Sequence, residues 1–251
     1  MLTSPSDHEV ATDVATRAGE VLVKLRAGVG GTAHDWWSLR DEGDWSAHQF
    51  IVEALHELRP DDKVLSEEGM EDRTRLGADR VWIVDPLDGT REFGEAGRSD
   101  WAVHVALVDG NGQPIAGAVA LPALGVTLST DPAPPPPPAF DGPPRIIVSR
   151  TRPPAVAIRV AEALGGELVA MGSAGAKAMA VVLGEADVYA HAGGQYEWDN
   201  CAPAAVAAAA GLHASRINGR PLVYNQPDPW LPDLLICRPE LAEAAINAII
   251  N

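Results

Sequence analysis

Cysteine is nearly absent: Cys201 and Cys237 are the only two, too few for a disulfide framework, and Cys201, set among small residues, reads as a packing residue. Basic residues are scarce as well, 19 Lys and Arg against 35 Asp and Glu, for a formal net charge of −16. That balance excludes a nucleic-acid polymer as partner, because duplex binding depends on cations that neutralise phosphates. No stretch approaches the roughly 18 consecutive apolar residues of a membrane span. The start, MLTSPSDHEV, has neither a basic opening nor an apolar core, so no secretory signal is expected. Together these absences predict a cytoplasmic protein. The seven histidines never fall at HxxH or HExxH spacing, which argues against a zinc site. There is no internal repeat.

What the chain does have is acids at the ends of apolar runs. Val81-Trp82-Ile83-Val84 reads as a buried strand that delivers Asp85 and Asp88 into a Gly89-Thr90 turn. Pro86 lacks an N–H and is expected to bend the chain out of the ladder. Carboxylates and carbonyls are the ligands magnesium prefers, with its other positions left to water and phosphate oxygens. Gly89 lets the backbone approach an anion, and the N–H groups of Gly89 and Thr90 point at one if a helix or turn begins there. An ordinary Asp-Gly turn is the plain alternative. Upstream, Val64 and Leu65 read as a strand with Glu67 and Glu68 at its exit, either metal-facing or a surface acidic loop. Downstream, Asp199 precedes the small-residue run Asn200 to Gly211, an Ala-rich buried helix for which an Asp is either ligand or cap.

With 251 residues and 46% apolar content the chain can bury a substantial core. Helices are predicted over 8–26, capped by Ser6 or Asp7, and over 46–58. Strands over 101–108 and 114–121 meet at Asp109-Gly110-Asn111-Gly112, a strong hairpin signal. Segment 131–144 holds five consecutive prolines, whose extended geometry suits a stiff exposed connection, or else a ligand for a partner domain. Strand and helix then alternate: strand 146–148, helix 154–164, strand 168–171, helix 174–183, strand 188–190 and the Ala-rich helix. The resulting division is an N-terminal lobe over 1–130, a linker over 131–144 and a C-terminal lobe over 145–251. Trp36, Trp37 and Trp45 are expected to pack, His104 to lie in the core or at its rim, and His213 to cap the end of the Ala-rich helix.

Three motifs in order, LSEEG at 65–69, WIVDPLDGTREF at 82–93 and EWDNCAPAAVAAAAG at 197–211, resemble the magnesium-dependent, lithium-sensitive phosphatases of the inositol monophosphatase superfamily. The Leu-Ser-Glu-Glu run and the Asp-Gly-Thr-Arg-Glu-Phe continuation look most like its CysQ-type 3'(2'),5'-bisphosphate nucleotidases, which remove the 3'-phosphate of 3'-phosphoadenosine 5'-phosphate. The resemblance implies a layered α-β-α-β-α sandwich of two lobes with the metal site between them. It implies Glu67, Asp85 and the Leu87 carbonyl as ligands of one magnesium ion, Asp85, Asp88 and Asp199 as ligands of a second, and Asp44 as a helper for a third. Glu67 and Thr90, with Asp44 behind Thr90, orient and deprotonate a water that such metals acidify, with no covalent phosphoenzyme. Gly89, Thr90, Arg91, Ser173, Lys177, His191 and Asp199 are the substrate-facing set.

Several positions depart from the family pattern. Arg40, Asp41, Glu42 and Gly43 replace the usual approach to Asp44, with Asp41 expected to face solvent. Lys177 lies one residue further from Ser173 than in some relatives, as a phosphate contact or a solvated helix residue. His191 replaces an arginine and is only partly charged near neutral pH. Ala192 stands where inositol monophosphatases carry a substrate-binding glutamate. Arg150 and Arg152 meet a second phosphate or form a solvated turn. The function implied is hydrolysis of 3'-phosphoadenosine 5'-phosphate, and of its 5'-phosphosulfate relative, in sulfur assimilation by a cytoplasmic homodimer. The alternatives are a broader inositol 1-phosphate or fructose 1,6-bisphosphate phosphatase, and a metal or nucleotide sensor without turnover.

Overall fold

An unbroken apolar run in a strand calls for cover on both faces, and that is what surrounds Val81 to Val84. In the computed structural model, which describes residues 4–29 and 33–250, Val81 and Ile83 enter one core cluster while Trp82 and Val84 enter another, on opposite sides of one sheet. Residues 1–3, 30–32 and 251 of the two predicted lobes lie outside the described residues.

The elements run α1 (Asp7–Ala27), α2 (Ala33–Leu58), β1 (Lys63–Ser66), β2 (Arg80–Asp88), α3 (Thr90–Phe93), β3 (Ala102–Asp109), β4 (Pro114–Leu121), β5 (Val126–Ser129), β6 (Arg145–Ser149), α4 (Ala155–Leu164), β7 (Glu167–Met171), α5 (Ala174–Val182), β8 (Val188–Ala192), α6 (Glu197–Ala209), β9 (His213–Ser215), β10 (Asp233–Cys237) and α7 (Pro239–Ile250). One sheet has the order β1-β2-β3-β4-β5, with β1 parallel to β2 and the rest antiparallel. The other has the order β7-β6-β8-β10-β9, with β6 parallel to both β7 and β8. α1 and α2 cover the outer face of the first sheet, α5 and α6 fill the space between the sheets, and α4 and α7 cover the outer face of the second. This is the layered α-β-α-β-α sandwich. The middle cluster joins Ile83 and Val119 of the first sheet to Ile147, Tyr189 and Ile236 of the second through Met179 and Val206.

Four local readings change. α2 begins at Ala33, not Ser46, because Leu39, Gly43, Ala47, Ile51 and Leu55 repeat every fourth residue and are all buried, a single helical stripe. Gly43 is needed there, since a Cβ would stand 2.7 Å from the Phe93 ring. Pro86 does not end β2. The strand continues to Asp88 across a register shift against β3 between Asp85 and Asp88, a bulge that tolerates the missing N–H. Trp37 and Trp45 are exposed, at 69% and 55%, because they lie off the α2 stripe, and only Trp36 packs on the core. His213 opens β9 and is not a helix cap.

The hairpin closes as expected, the Gly112 N–H donating to Asp109 O at 2.9 Å. The proline segment joins the two sheets. Pro134, Pro137 and Phe140 are half-buried at every third residue, the period of a polyproline helix, and Phe140 lies under Arg238 at 5.1 Å. No helix among the described residues is long and apolar enough to cross a membrane.

The second sheet is clamped by a buried charge cluster. Asp187 accepts from Arg145 Nε at 2.9 Å and from Arg238 Nε at 2.7 Å. Burial pushes the Asp187 carboxyl up, and the two guanidinium partners overcome that and hold it below the usual carboxylate range. Replacing Arg238 by Met leaves the buried Asp187 with Arg145, itself one-third exposed, as its remaining guanidinium partner, and about 3 kcal/mol of stability is expected to disappear in urea denaturation. A midpoint equal to wild type would remove the clamp from the account.

Candidate active site

Parallel pairing of β1 with β2 brings two strand exits to one edge. Ser66 lies beside Val84, so Glu67 and Asp85 emerge together, with the Glu67 N–H donating to Val84 O at 3.4 Å. The alternation that sends Val81 and Ile83 into the middle layer also sends Asp85 there. α6 arrives from the opposite side and presents Asp199 from its first turn, inside the helix and not before it as the sequence suggested. Asp199 Oδ2 accepts from the Tyr196 N–H at 2.6 Å, so it caps its own helix as well.

Asp85, Asp88 and Asp199 each offer a carboxylate oxygen such that all three lie within 4.8 Å of one another. Asp85 is pushed well above the ordinary carboxylate range by burial and by the neighbouring Glu67, Asp88 and Asp199 charges. Asp199 is raised to about 6 by burial and by Asp88. Burial also opposes the charge on Asp88, yet contacts with His104 and Ser173 and the charge of Lys177 bring it below its usual range. Asp88 accepts from the Ala174 N–H at 3.0 Å, the Gly175 N–H at 2.6 Å and the Ser173 hydroxyl, at the start of α5. Two buried carboxylates and a half-buried third, whose mutual repulsion is only partly met, suit a hard divalent cation, which takes oxygen ligands and supplies the missing positive charge.

Around this trio stand the other predicted residues. Glu67 is not part of the tight trio. The residue as a whole touches solvent, but burial around its carboxyl and the charges of Asp199 and Asp44 push it up to about 8. The Thr90 hydroxyl lies 3.0 Å from Leu87 O and 3.3 Å from Asp44 Oδ1, sharing one proton between them. Asp44 is raised to about 7 by burial and by Glu68. Gly89 has φ +86°, and a Cβ on it would meet Ser173 Cβ at 3.0 Å and Asp100 O at 3.1 Å, so only glycine lets the β2 turn close onto the start of α5.

The substrate-facing set divides. Lys177 is buried and not solvated: its Nζ donates to Ser173 O and sits 5.3 Å over the Tyr189 ring. Burial lowers its pKa while Asp88 and Glu92 raise it, and burial wins. The Ser173 hydroxyl is engaged with Asp88. His191 is held down to about 4 by burial and by Lys177, so it is neutral at pH 7 rather than partly charged, and its Nε2 lies 3.1 Å from Gly193 O. Arg91 and Asp41 are exposed. Arg150 is bonded to Glu92 and Glu95, both at 2.6 Å, while Arg152 is exposed.

One residue was underrated in the sequence. His104 is fully buried, pairs in register with Asp85 on the neighbouring strand, and lies 3.4 Å from Asp88 Oδ2 through Nε2 and 3.0 Å from Trp198 O through Nδ1. Burial lowers its pKa, the Asp88 contact raises it, and the net shift is upward. Alternation along β3 gives its face, but only the β2–β3 register places it beneath the acids.

Similarity to known proteins follows these positions. The inositol monophosphatase family profile matches residues 7–131 and 147–250, on either side of the proline segment. A Mycobacterium bovis protein named 3'-phosphoadenosine 5'-phosphate phosphatase is 52% identical over 246 residues, covering 93% of this chain and 90% of the relative. The Escherichia coli 3'(2'),5'-bisphosphate nucleotidase CysQ is 35% identical over 210 residues, covering 75% of this chain and 80% of that protein. The crystal structure of CysQ from Bacteroides thetaiotaomicron superposes with a TM-score of 0.79 at 28% identity, covering 95% of this chain and 99% of that one. With the profile spanning both sheets and the acids of β2 and α6 drawn to one place, the chain belongs to the inositol monophosphatase family.

Proposed function

We propose that this protein is a magnesium-dependent phosphatase that hydrolyses the 3'-phosphate of 3'-phosphoadenosine 5'-phosphate, and of its 5'-phosphosulfate relative. The observation that carries the reading is the convergence of Asp85, Asp88 and Asp199 within 4.8 Å, with the Thr90–Asp44 pair held by the same β2 turn. The names of the mycobacterial and enterobacterial relatives supply the substrate.

Asp85, Asp88 and Asp199, with Glu67 and the Leu87 carbonyl, are the groups that hold the divalent ions. Bound there, such ions supply Lewis acidity for water and charge stabilisation for the leaving oxygen. Thr90 and Glu67 orient the attacking water. Its oxygen bonds to phosphorus as the bond from phosphorus to the 3'-oxygen breaks, one proton passes by way of the Thr90 hydroxyl to Asp44, and the departing 3'-oxygen takes a proton from solvent water to leave as the ribose hydroxyl. An Asp44 carboxyl raised to about 7 is matched to accepting a proton near neutral pH. Lys177, buried behind the Ser173 carbonyl, adds positive charge to the site from within, and Gly89 and Arg91 face the phosphate from the β2 turn. Neutral His191 serves as a donor or a stacking surface. Two further readings go with this one: the lobes divide at 131–144, which the order of the sheets supports, and the enzyme acts as a cytoplasmic homodimer in sulfur assimilation, which family resemblance supports.

Phosphate release is the test, measured with and without magnesium from 3'-phosphoadenosine 5'-phosphate, inositol 1-phosphate and fructose 1,6-bisphosphate. The expected outcome is a kcat/KM at least about a hundredfold higher for the nucleotide, the discrimination that about 2.7 kcal/mol of differential binding provides. Comparable values would replace the reading with a broad phosphatase, and release from none would leave a sensor.

A further inference from the structure

Beside Asp199 the chain presents aromatic rings that the hydrolytic step does not use. Tyr196 and Trp198 lie parallel, with centroids 4.9 Å apart and planes 9° apart. Trp198 packs on the middle core, so the Tyr196 ring rests on a supported base while staying 42% exposed. Trp230, 52% exposed, is its partner across a short antiparallel bridge. The Glu197 N–H donates to Pro229 O at 2.8 Å and the Leu231 N–H to Gln195 O at 3.0 Å, one hydrogen bond on each side of the Tyr196–Trp230 pair. That makes it a non-hydrogen-bonded pair, the kind whose side chains project to one face at closest approach. The Tyr196 N–H that bonds Asp199 ties this rim to the carboxylate trio.

The rim is also braced. Glu197, 1% exposed, accepts the N–H groups of Asn225 and Gln226 at 2.6 and 2.8 Å. Arg75, with no exposure, donates to Asn225 Oδ1 at 2.7 Å and Gln226 O at 3.0 Å. These two buried side chains hold the 225–231 segment against the start of α6. Rings held this rigidly lose little freedom when another ring stacks on them.

We propose that Tyr196 and Trp230 form a stacking rim for the nucleobase of the substrate, making the chain selective for a nucleotide over a base-free phosphate; this rests on the nucleotidase reading above. Every nucleobase has a π-face, so the rim selects for the presence of a base and not its identity.

The test is calorimetric titration of the full magnesium-loaded chain with AMP and, separately, with inorganic phosphate. Tyr196→Ala and Trp230→Ala are each expected to weaken AMP at least about tenfold, within the range of base stacking on aromatic residues. Phosphate affinity stays within about twofold of wild type in both, because neither side chain belongs to the carboxylate trio, and Tyr196→Phe retains AMP binding because the ring is kept. AMP affinity unchanged in both alanine variants overturns the rim. So does equal weakening of AMP and phosphate, which marks a structural role at Asp199, or a wild type that binds AMP no better than phosphate. Trp230→Ala, at an exposed ring outside any helix, keeps the test sound if Tyr196→Ala disturbs the start of α6. A wild type that binds AMP through the rim but releases no phosphate from the nucleotide overturns the nucleotidase reading alone.

Discussion

Asp85→Asn is expected to lower phosphate release by at least about a thousandfold while leaving the metal-free protein as stable as wild type or more so. The loss follows from the proposed role of Asp85 as a shared ligand, since the charge stabilisation a catalytic metal provides is several kcal/mol and each 1.36 kcal/mol is a factor of ten. The stability effect has the opposite sign for a physical reason. Asp85 is fully buried and faces Asp88, Asp199 and Glu67, which together with burial drive its pKa far up. Asparagine keeps the shape and the acceptor for the Leu87 N–H, which lies 3.1 Å from Asp85 Oδ1, and removes the charge. Thermal denaturation in EDTA and a phosphate-release assay on the same preparation check both halves. A variant that melts well below wild type without metal would show that Asp85 is held by favourable contacts, and wild-type turnover would remove it from the site.

The second large effect is a metal-induced stabilisation that grows with pH. In the metal-free protein Asp199 is raised to about 6, Asp44 to about 7 and Glu67 to about 8, and Asp85 is raised well above its ordinary value. Groups raised in the folded state bind more protons folded than unfolded. Their contribution to stability is therefore complete below the ordinary carboxylate range near 4 and is lost as pH climbs through about 6 to 8. Asp88, lowered, contributes the opposite dependence, but only in strong acid. A divalent ion competes with those protons and takes over their role where they are lost. At a hundred times its dissociation constant such an ion adds about 2.7 kcal/mol, or about 5–10 °C in a protein of this size. The rise in melting temperature on adding magnesium is expected to be several degrees larger at pH 8 than at pH 5.5. Equal rises at both values would mean that the acids do not share a cation.

Each of these effects was only half legible in the residues. Two of the three acidic motifs named the acids that converge, Asp85, Asp88 and Asp199, because carboxylates at strand and helix ends follow from apolar runs that stop abruptly at Asp85 and start abruptly after Asp199. Period two along β2 even gave the face on which Asp85 lies. Pro86 misled, since a bulge lets the strand continue where the ladder was expected to stop. The early start of α2 was missed because the charged run Arg40 to Asp44 hides a stripe of Leu39, Gly43 and Ala47 that only shows as a core face once Phe93 is seen against it.

Sequence alone determined the hairpin at Asp109 to Gly112 and the identities of the acids, because these rest on turn chemistry and residue type, and the resemblance that those acidic motifs carry supplied the layered α/β class. Tertiary structure decided what depends on approach between distant segments. It put His104 beneath Asp85 and Asp88, buried Lys177 against Tyr189, engaged Ser173 with Asp88 and Arg150 with Glu92, and raised Tyr196 and Trp230 together beside Asp199. Charges and rings act over a few ångströms, and which of them come that close is set by strand register and by the packing of α5 and α6 between two sheets, neither of which is written in any one stretch of the chain.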